Sequence, residues 1–224
     1  MAMTVFAVAI PAILAITLHE AAHGFIALAF GDPTAKEQGR LSLNPIRHVD
    51  PFGTIILPAM LKLAGAPVLG WAKPVPVDFS RLRNPRRNMI WVALAGPAMN
   101  IFLALVSAAI FRLAIGPVDS VDGFLPQLLV NSIAINVLLA VFNMIPLPPL
   151  DGGRVAVGIL PLPLARRLAA TEKYGMFVLL GALVLLPWLG SKIGTDLDLF
   201  AWTIIPLADA VINFIATVTG LTSG

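Results

Sequence analysis

The 224-residue sequence contains no cysteine, which excludes disulfides and thiolate metal ligands and leaves imidazole and carboxylate as the strong candidates for any metal site. Charge is scarce as well: 12% of residues are Asp, Glu, Lys or Arg, against about 25% in soluble domains. With 58% hydrophobic side chains and a mean hydropathy of +0.90, that scarcity excludes an ordinary soluble domain. The small excess of positive charge, +3 with a pI near 9.7, is scattered over short loops between apolar segments. It fits orientation in a lipid bilayer and not a nucleic-acid partner. No basic stretch precedes the first apolar segment, as a cleavable signal peptide would require.

Apolar length is abundant. Five segments approach the roughly 20 residues needed to span a hydrocarbon core: Thr4–Phe30, Asn88–Ile115, Leu125–Ile145, Tyr174–Leu189 and Leu199–Val218. A sixth run, Phe52–Trp71, carries Pro58, Lys62, Gly65 and Pro67 and reads as a short broken or re-entrant element. The expected fold is therefore an all-α polytopic membrane protein, a helical bundle of five to six transmembrane segments with one short re-entrant or broken element. It forms one integral domain over 1–224, with a core at about 4–155 and two extra C-terminal helices over 174–218. If the element over 52–71 dips in and returns, the three Lys- and Arg-rich loops, 31–51, 72–87 and 147–173, all face the cytoplasm.

His19 and His23 lie four residues apart within the first apolar segment, with Glu20 between them. Positions i and i+4 share a helix face, so both imidazoles can reach one metal ion while the glutamate stands beside its open position. A charge at the centre of a membrane helix costs about 2.5–3.5 kcal/mol on insertion scales, so such a cluster marks function. Two buried histidines bonded to helix carbonyls are the bland alternative. A catalytic zinc takes three protein ligands, and Asp151 is the best third candidate. It follows Asn143-Met144-Ile145-Pro146-Leu147-Pro148-Pro149-Leu150, a stretch too rich in proline to continue a helix, and precedes Gly152-Gly153. The competing role for Asp151 is a helix N-cap. His48, in Asn44-Pro45-Ile46-Arg47-His48, reads as an interfacial loop residue. Asp209 and Asn213, one turn apart in the last segment, read as a pair facing neighbouring helices.

Three stretches in order, His19-Glu20-Ala21-Ala22-His23, Gly96-Pro97-Ala98-Met99-Asn100, and Asn143 through Asp151-Gly152-Gly153, resemble the site-2 protease family of intramembrane zinc metalloproteases. The likeness runs from about Thr4 to Arg154 and takes in Gly70-Trp71-Ala72-Lys73-Pro74-Val75-Pro76. Pro149-Leu150 stand before Asp151 where the family often has Asn-Pro. The resemblance implies that His19, His23 and Asp151 hold Zn²⁺, that Glu20 is the catalytic glutamate, and that Asn100 belongs to the glycine-and-asparagine helix motif. Glu20 would take a proton from the attacking water and return it to the leaving amine. Asn100 and Asn143 could donate to the carbonyl oxygen or hold an extended substrate strand, or could simply bond helix to helix. The expected substrate is a transmembrane protein cut near the cytoplasmic leaflet of a prokaryotic cell membrane. The rival reading is a membrane metal transporter using the same ligands as a transit site.

Overall fold

The computed structural model describes residues 2–56, 59–60, 63, 73–116 and 122–221. Its main helices are α1 (Ala2–Ala29), α2 (Pro85–Ala114), α3 (Phe124–Asn143), α4 (Asp151–Ile159), α5 (Leu162–Ala170), α6 (Glu172–Ile193) and α7 (Leu199–Thr219). Among the described residues, five helices, α1, α2, α3, α6 and α7, are long and apolar enough to cross a membrane. Helix α6 contains a widened turn, Gly181–Leu185, just before Pro187. Of the expected element over 52–71, Pro51–Ile56 is a helical turn and 57–58, 61–62 and 64–72 lie outside the described residues.

Helices α1, α2 and α3 pack on one another and form the centre, α4 docks on α2, and α7 covers α3. Close approach depends on small residues. The buried positions Ala7, Pro11, Ala15, His19, His23 and Ala27 of α1 form an unbroken i, i+4 ridge, and Ala104 and Ala108 of α2 are also fully buried. Val5, Phe6, Ile13, Leu14 and Phe25 point outward. The histidines thus occupy steps of the seam that faces the core.

Pro11 has no N–H to give the Ala7 carbonyl one turn back, and that carbonyl instead accepts Asn131 Nδ2 from α3 at 3.1 Å. A helix break is repaired by its neighbour. In α7 the buried side carries Ile204, Ala208 and Ile215, leaving Asp209 and Asn213 exposed. The expectation that this pair faces neighbouring helices is therefore corrected: each is turned about 100° of helix away from the packed residue before it, Ala208 or Ile212.

Gly175 of α6 lies against the Pro148 carbonyl, which a Cβ there would strike. Helix propensity alone favours Gly175→Ala by about 1 kcal/mol. Overpacking costs about 1–3 kcal/mol and should win. We expect a lower Tm in detergent; a rise would show that this contact relaxes freely.

Candidate metal centre

The ridge on α1 and the start of α4 bring three donor atoms to one point. His19 Nε2 and His23 Nε2 are 3.0 Å apart, and Asp151 Oδ2 lies 3.2 Å from the first and 3.3 Å from the second. All three residues are buried. His23 Nδ1 is 2.7 Å from the Val92 carbonyl oxygen, which can only accept, so Nδ1 carries a hydrogen and the neutral ring, the form that binds a metal, has Nε2 bare. His19 Nδ1 is 2.6 Å from Asn100 Oδ1. The Asn100 amide nitrogen donates to Ala15 O at 3.3 Å and to Asn136 Oδ1 at 2.9 Å, which fixes its oxygen toward the imidazole and leaves His19 Nε2 bare as well.

With both rings in this neutral form, two bare nitrogens and an ionised carboxylate oxygen have no hydrogen to share among them. Consistent with this, Asp151 Oδ2 is buried without a hydrogen-bond partner among the described residues. A shared cation reconciles the three lone pairs. Two ligands of a tetrahedral ion with bonds of about 2.0–2.1 Å stand about 3.3 Å apart, close to the observed edges. His19, His23 and Asp151 therefore fit a zinc ion as three protein ligands that leave a fourth position open.

Local sequence explains how the donors meet. Gly96 of α2 sits against both rings, where a Cβ would come within 2.5 Å of His19 Cε1 and His23 Nε2. After α3 ends at Asn143, the chain turns through 144–150 and re-enters a helix at Asp151. Gly152 and Gly153 lie so close to the backbone of Met144, Ile145, Leu147 and Pro148 that side chains there would collide. The glycine pair lets the first turn of α4 rest on this loop, and Asp151 with it.

Glu20 is half-buried and its Oε2 accepts the Val75 N–H at 2.7 Å. The segment that supplies this amide is itself tied down: Lys73 N donates to His48 O at 2.8 Å, Arg40 Nη2 donates to Lys73 O at 3.0 Å, and Asp78 N donates to Asp32 Oδ2 at 2.7 Å. Glu20 Oε1 takes no partner among the described residues.

The remaining sequence candidates divide. Asn100 is fully buried and every polar atom of its side chain is engaged, so it supports His19 and has no hydrogen left for a substrate oxygen. That corrects the oxyanion role considered for it. Asn143 donates to Leu139 O at 2.9 Å and is half-buried, and its second amide hydrogen has no partner among the described residues. His48 is buried away from the metal ligands, with Nε2 2.8 Å from Ser42 O. Sequence reasoning passed over Asn136 and the bond from the Val75 amide to Glu20. Asn136 did leave a signal, a polar residue four after Ser132 and seven before Asn143 on an apolar helix; a backbone amide such as that of Val75 leaves none.

Comparison with known proteins finds relatives that carry the same chemistry in their names. The chain is 39% identical over 207 residues to "Putative zinc metalloprotease YwhC" of Bacillus subtilis, covering 87% of this chain and 91% of that protein. It is also similar to two proteins named "Putative zinc metalloprotease Rip2", 30% identical for that of Mycolicibacterium smegmatis and 32% for that of Mycobacterium tuberculosis. Those matches cover 77% and 75% of this chain but 64% and 62% of the relatives, so the chain spans under two thirds of their length. No family model and no solved structure matches the chain.

Proposed function

Since the chain belongs to the zinc metalloprotease family that YwhC represents, we propose that it is an intramembrane protease of the site-2 type, hydrolysing a peptide bond in or near the transmembrane segment of another membrane protein. The observation that carries this reading is the setting of the donors: two of the three sit inside a helix, Met3–Ala29, long and apolar enough to cross a membrane.

His19, His23 and Asp151 would hold the zinc. When bound, zinc supplies a Lewis acid and lowers the pKa of water to about 7. Glu20, steadied through Oε2 by the Val75 amide, keeps Oε1 free to accept a proton from the attacking water and pass it to the leaving amine. Asn143, with one amide hydrogen on Leu139 O and the other unpaired among the described residues, would donate to the substrate carbonyl as negative charge develops there.

A helical substrate offers no free carbonyl, because each is bonded to the amide four residues on. Cleavage therefore requires local unwinding, which Gly, Pro or polar residues in the target would ease. Space for such a segment exists beside the site. An apolar cavity of about 1060 Å³ is walled by Ala95 and Pro97, the residues flanking Gly96, by Met144 and Leu147 of the loop before Asp151, and by Leu179 and Leu183 of α6. By the positive-inside rule, the three Lys- and Arg-rich loops support a site toward the cytoplasmic leaflet. The whole chain acts as one integral domain, with α6 and α7 walling the cavity.

The test is reconstitution in lipid vesicles with single-span substrates, with zinc removed by a chelator and then restored. We expect cleavage within the spanning segment, lost on chelation and regained with zinc. Cleavage confined to water-soluble peptides, or untouched by chelation, would overturn the reading.

A further inference from the structure

We infer that Asn136 is a positioning residue for the metal centre, acting through Asn100 to hold the His19 ring. The inference rests on the metal-binding reading above and adds a residue of α3 that touches neither metal nor substrate. The bonds run in one chain across three helices. His19 Nδ1 of α1 donates to Asn100 Oδ1 of α2 at 2.6 Å, Asn100 Nδ2 donates to Asn136 Oδ1 of α3 at 2.9 Å, and Asn136 Nδ2 donates to Ser132 O at 2.9 Å. Ser132 Oγ in turn meets Ser107 Oγ of α2 at 2.8 Å. Asn100 and Asn136 are 0% and 1% exposed, so no water competes for these groups.

The role follows from what a carboxamide can do. Left to itself, Asn100 could present either its oxygen or its NH2 to His19. With NH2 toward the ring, Nδ1 would have to be the bare nitrogen and Nε2 would carry the hydrogen, pointing it at the place where a lone pair is needed. Two acceptors on the far side, Ala15 O and Asn136 Oδ1, demand the NH2 end and so forbid that flip. Asn136 is itself held against flipping, because its own NH2 finds the Ser132 carbonyl. The orientation of one imidazole is thereby set by a residue two bonds away on another helix.

The experiment measures zinc retention by the purified zinc-loaded protein in detergent, as the chelator concentration that removes half the metal. Four variants are compared with wild type: Asn100→Leu, Asn136→Leu, the double variant, and Asn131→Leu. The last removes the α3-to-α1 bond to Ala7 O and serves as the control for loss of a polar tie at no cost to the chain leading to His19. Removing an outer partner of a metal-bound histidine costs about 10–100-fold in affinity. We expect Asn100→Leu within that range, Asn136→Leu near its lower end, about tenfold, and the double variant within about twofold of Asn100→Leu, since both act on one bond. Asn131→Leu should lower Tm and leave retention unchanged. If Asn136→Leu does not accumulate, Asn136→Ser, which is small and common between membrane helices, reads the same loss. Unchanged retention in Asn136→Leu or Asn136→Ser, losses that multiply in the double variant, or an equal loss in Asn131→Leu would each overturn the assignment. Failure of the protease reading looks different: it would abolish peptide cleavage in wild type while leaving these retention differences in place.

Discussion

Glu20→Gln is expected to lower peptide hydrolysis by about 10²–10⁴-fold, the range that a positioned acid–base group contributes, while the zinc content per chain stays at the wild-type level. The substitution is nearly isosteric. Glutamine keeps an oxygen that can accept the Val75 N–H, so the tether at 2.7 Å survives and the helix need not move. What disappears is a group able to hold a proton between the attacking water and the departing amine. Single-turnover cleavage in vesicles, with elemental analysis of the same preparations, checks the expectation. The same variant separates the protease from the transporter reading. A carrier would still move metal across vesicles with glutamine at position 20, and wild type would never have cut a peptide.

Gly96→Ala should expel the metal by adding one methyl group to a residue that binds nothing. The new carbon would lie within 2.5 Å of His19 Cε1 and His23 Nε2, far inside van der Waals contact, and neither ring can retreat because its Nδ1 is bonded to Asn100 or to the Val92 carbonyl. Displacements of about 1 Å in a catalytic constellation cost about 10²-fold in rate, and here the donors themselves are displaced. We expect zinc per chain well below one and hydrolysis reduced by about 10²-fold or more. Alanine is the better helix former by about 1 kcal/mol, so α2 should persist and circular dichroism should be unaltered. Full zinc content in Gly96→Ala would mean that α2 can withdraw from α1 at this point, contrary to the packing described above.

The spans were legible in the sequence because length and hydropathy decide them: the expected Thr4–Phe30 is observed as Met3–Ala29, and the expected Leu199–Val218 as Leu199–Thr219. The group that could hold a metal was legible for a related reason. Charged and imidazole groups are so costly in an apolar helix that the few present, His19, Glu20 and His23, announce themselves, and the prolines and glycines around Asp151 mark a loop that must bend. Asparagines were harder. Asn100, Asn131, Asn136 and Asn143 are equally conspicuous as polar residues in apolar helices, yet one supports His19, one repairs the break at Pro11, one steadies Asn100, and one keeps a free donor. Which does which depends on the rotation of α2 and α3 about their axes, and hydropathy is blind to rotation. For the same reason Asp209 and Asn213 were assigned to the wrong side of α7. The Glu20–Val75 contact lay beyond any such reading, since a backbone amide is the same in every residue but proline.

More than half of the chain separates His19 from Asp151, and this spacing ties metal occupancy to the integrity of the bundle. An unfolded chain offers the i, i+4 histidine pair but cannot add the distant carboxylate without closing a very long loop, so zinc selects the native state over the denatured one. Free zinc at a hundredfold excess over its Kd would then contribute about 2.7 kcal/mol to stability. A chelator should therefore lower the Tm of the zinc-loaded protein, because the ion it strips off is what fastens the first helix to the fourth.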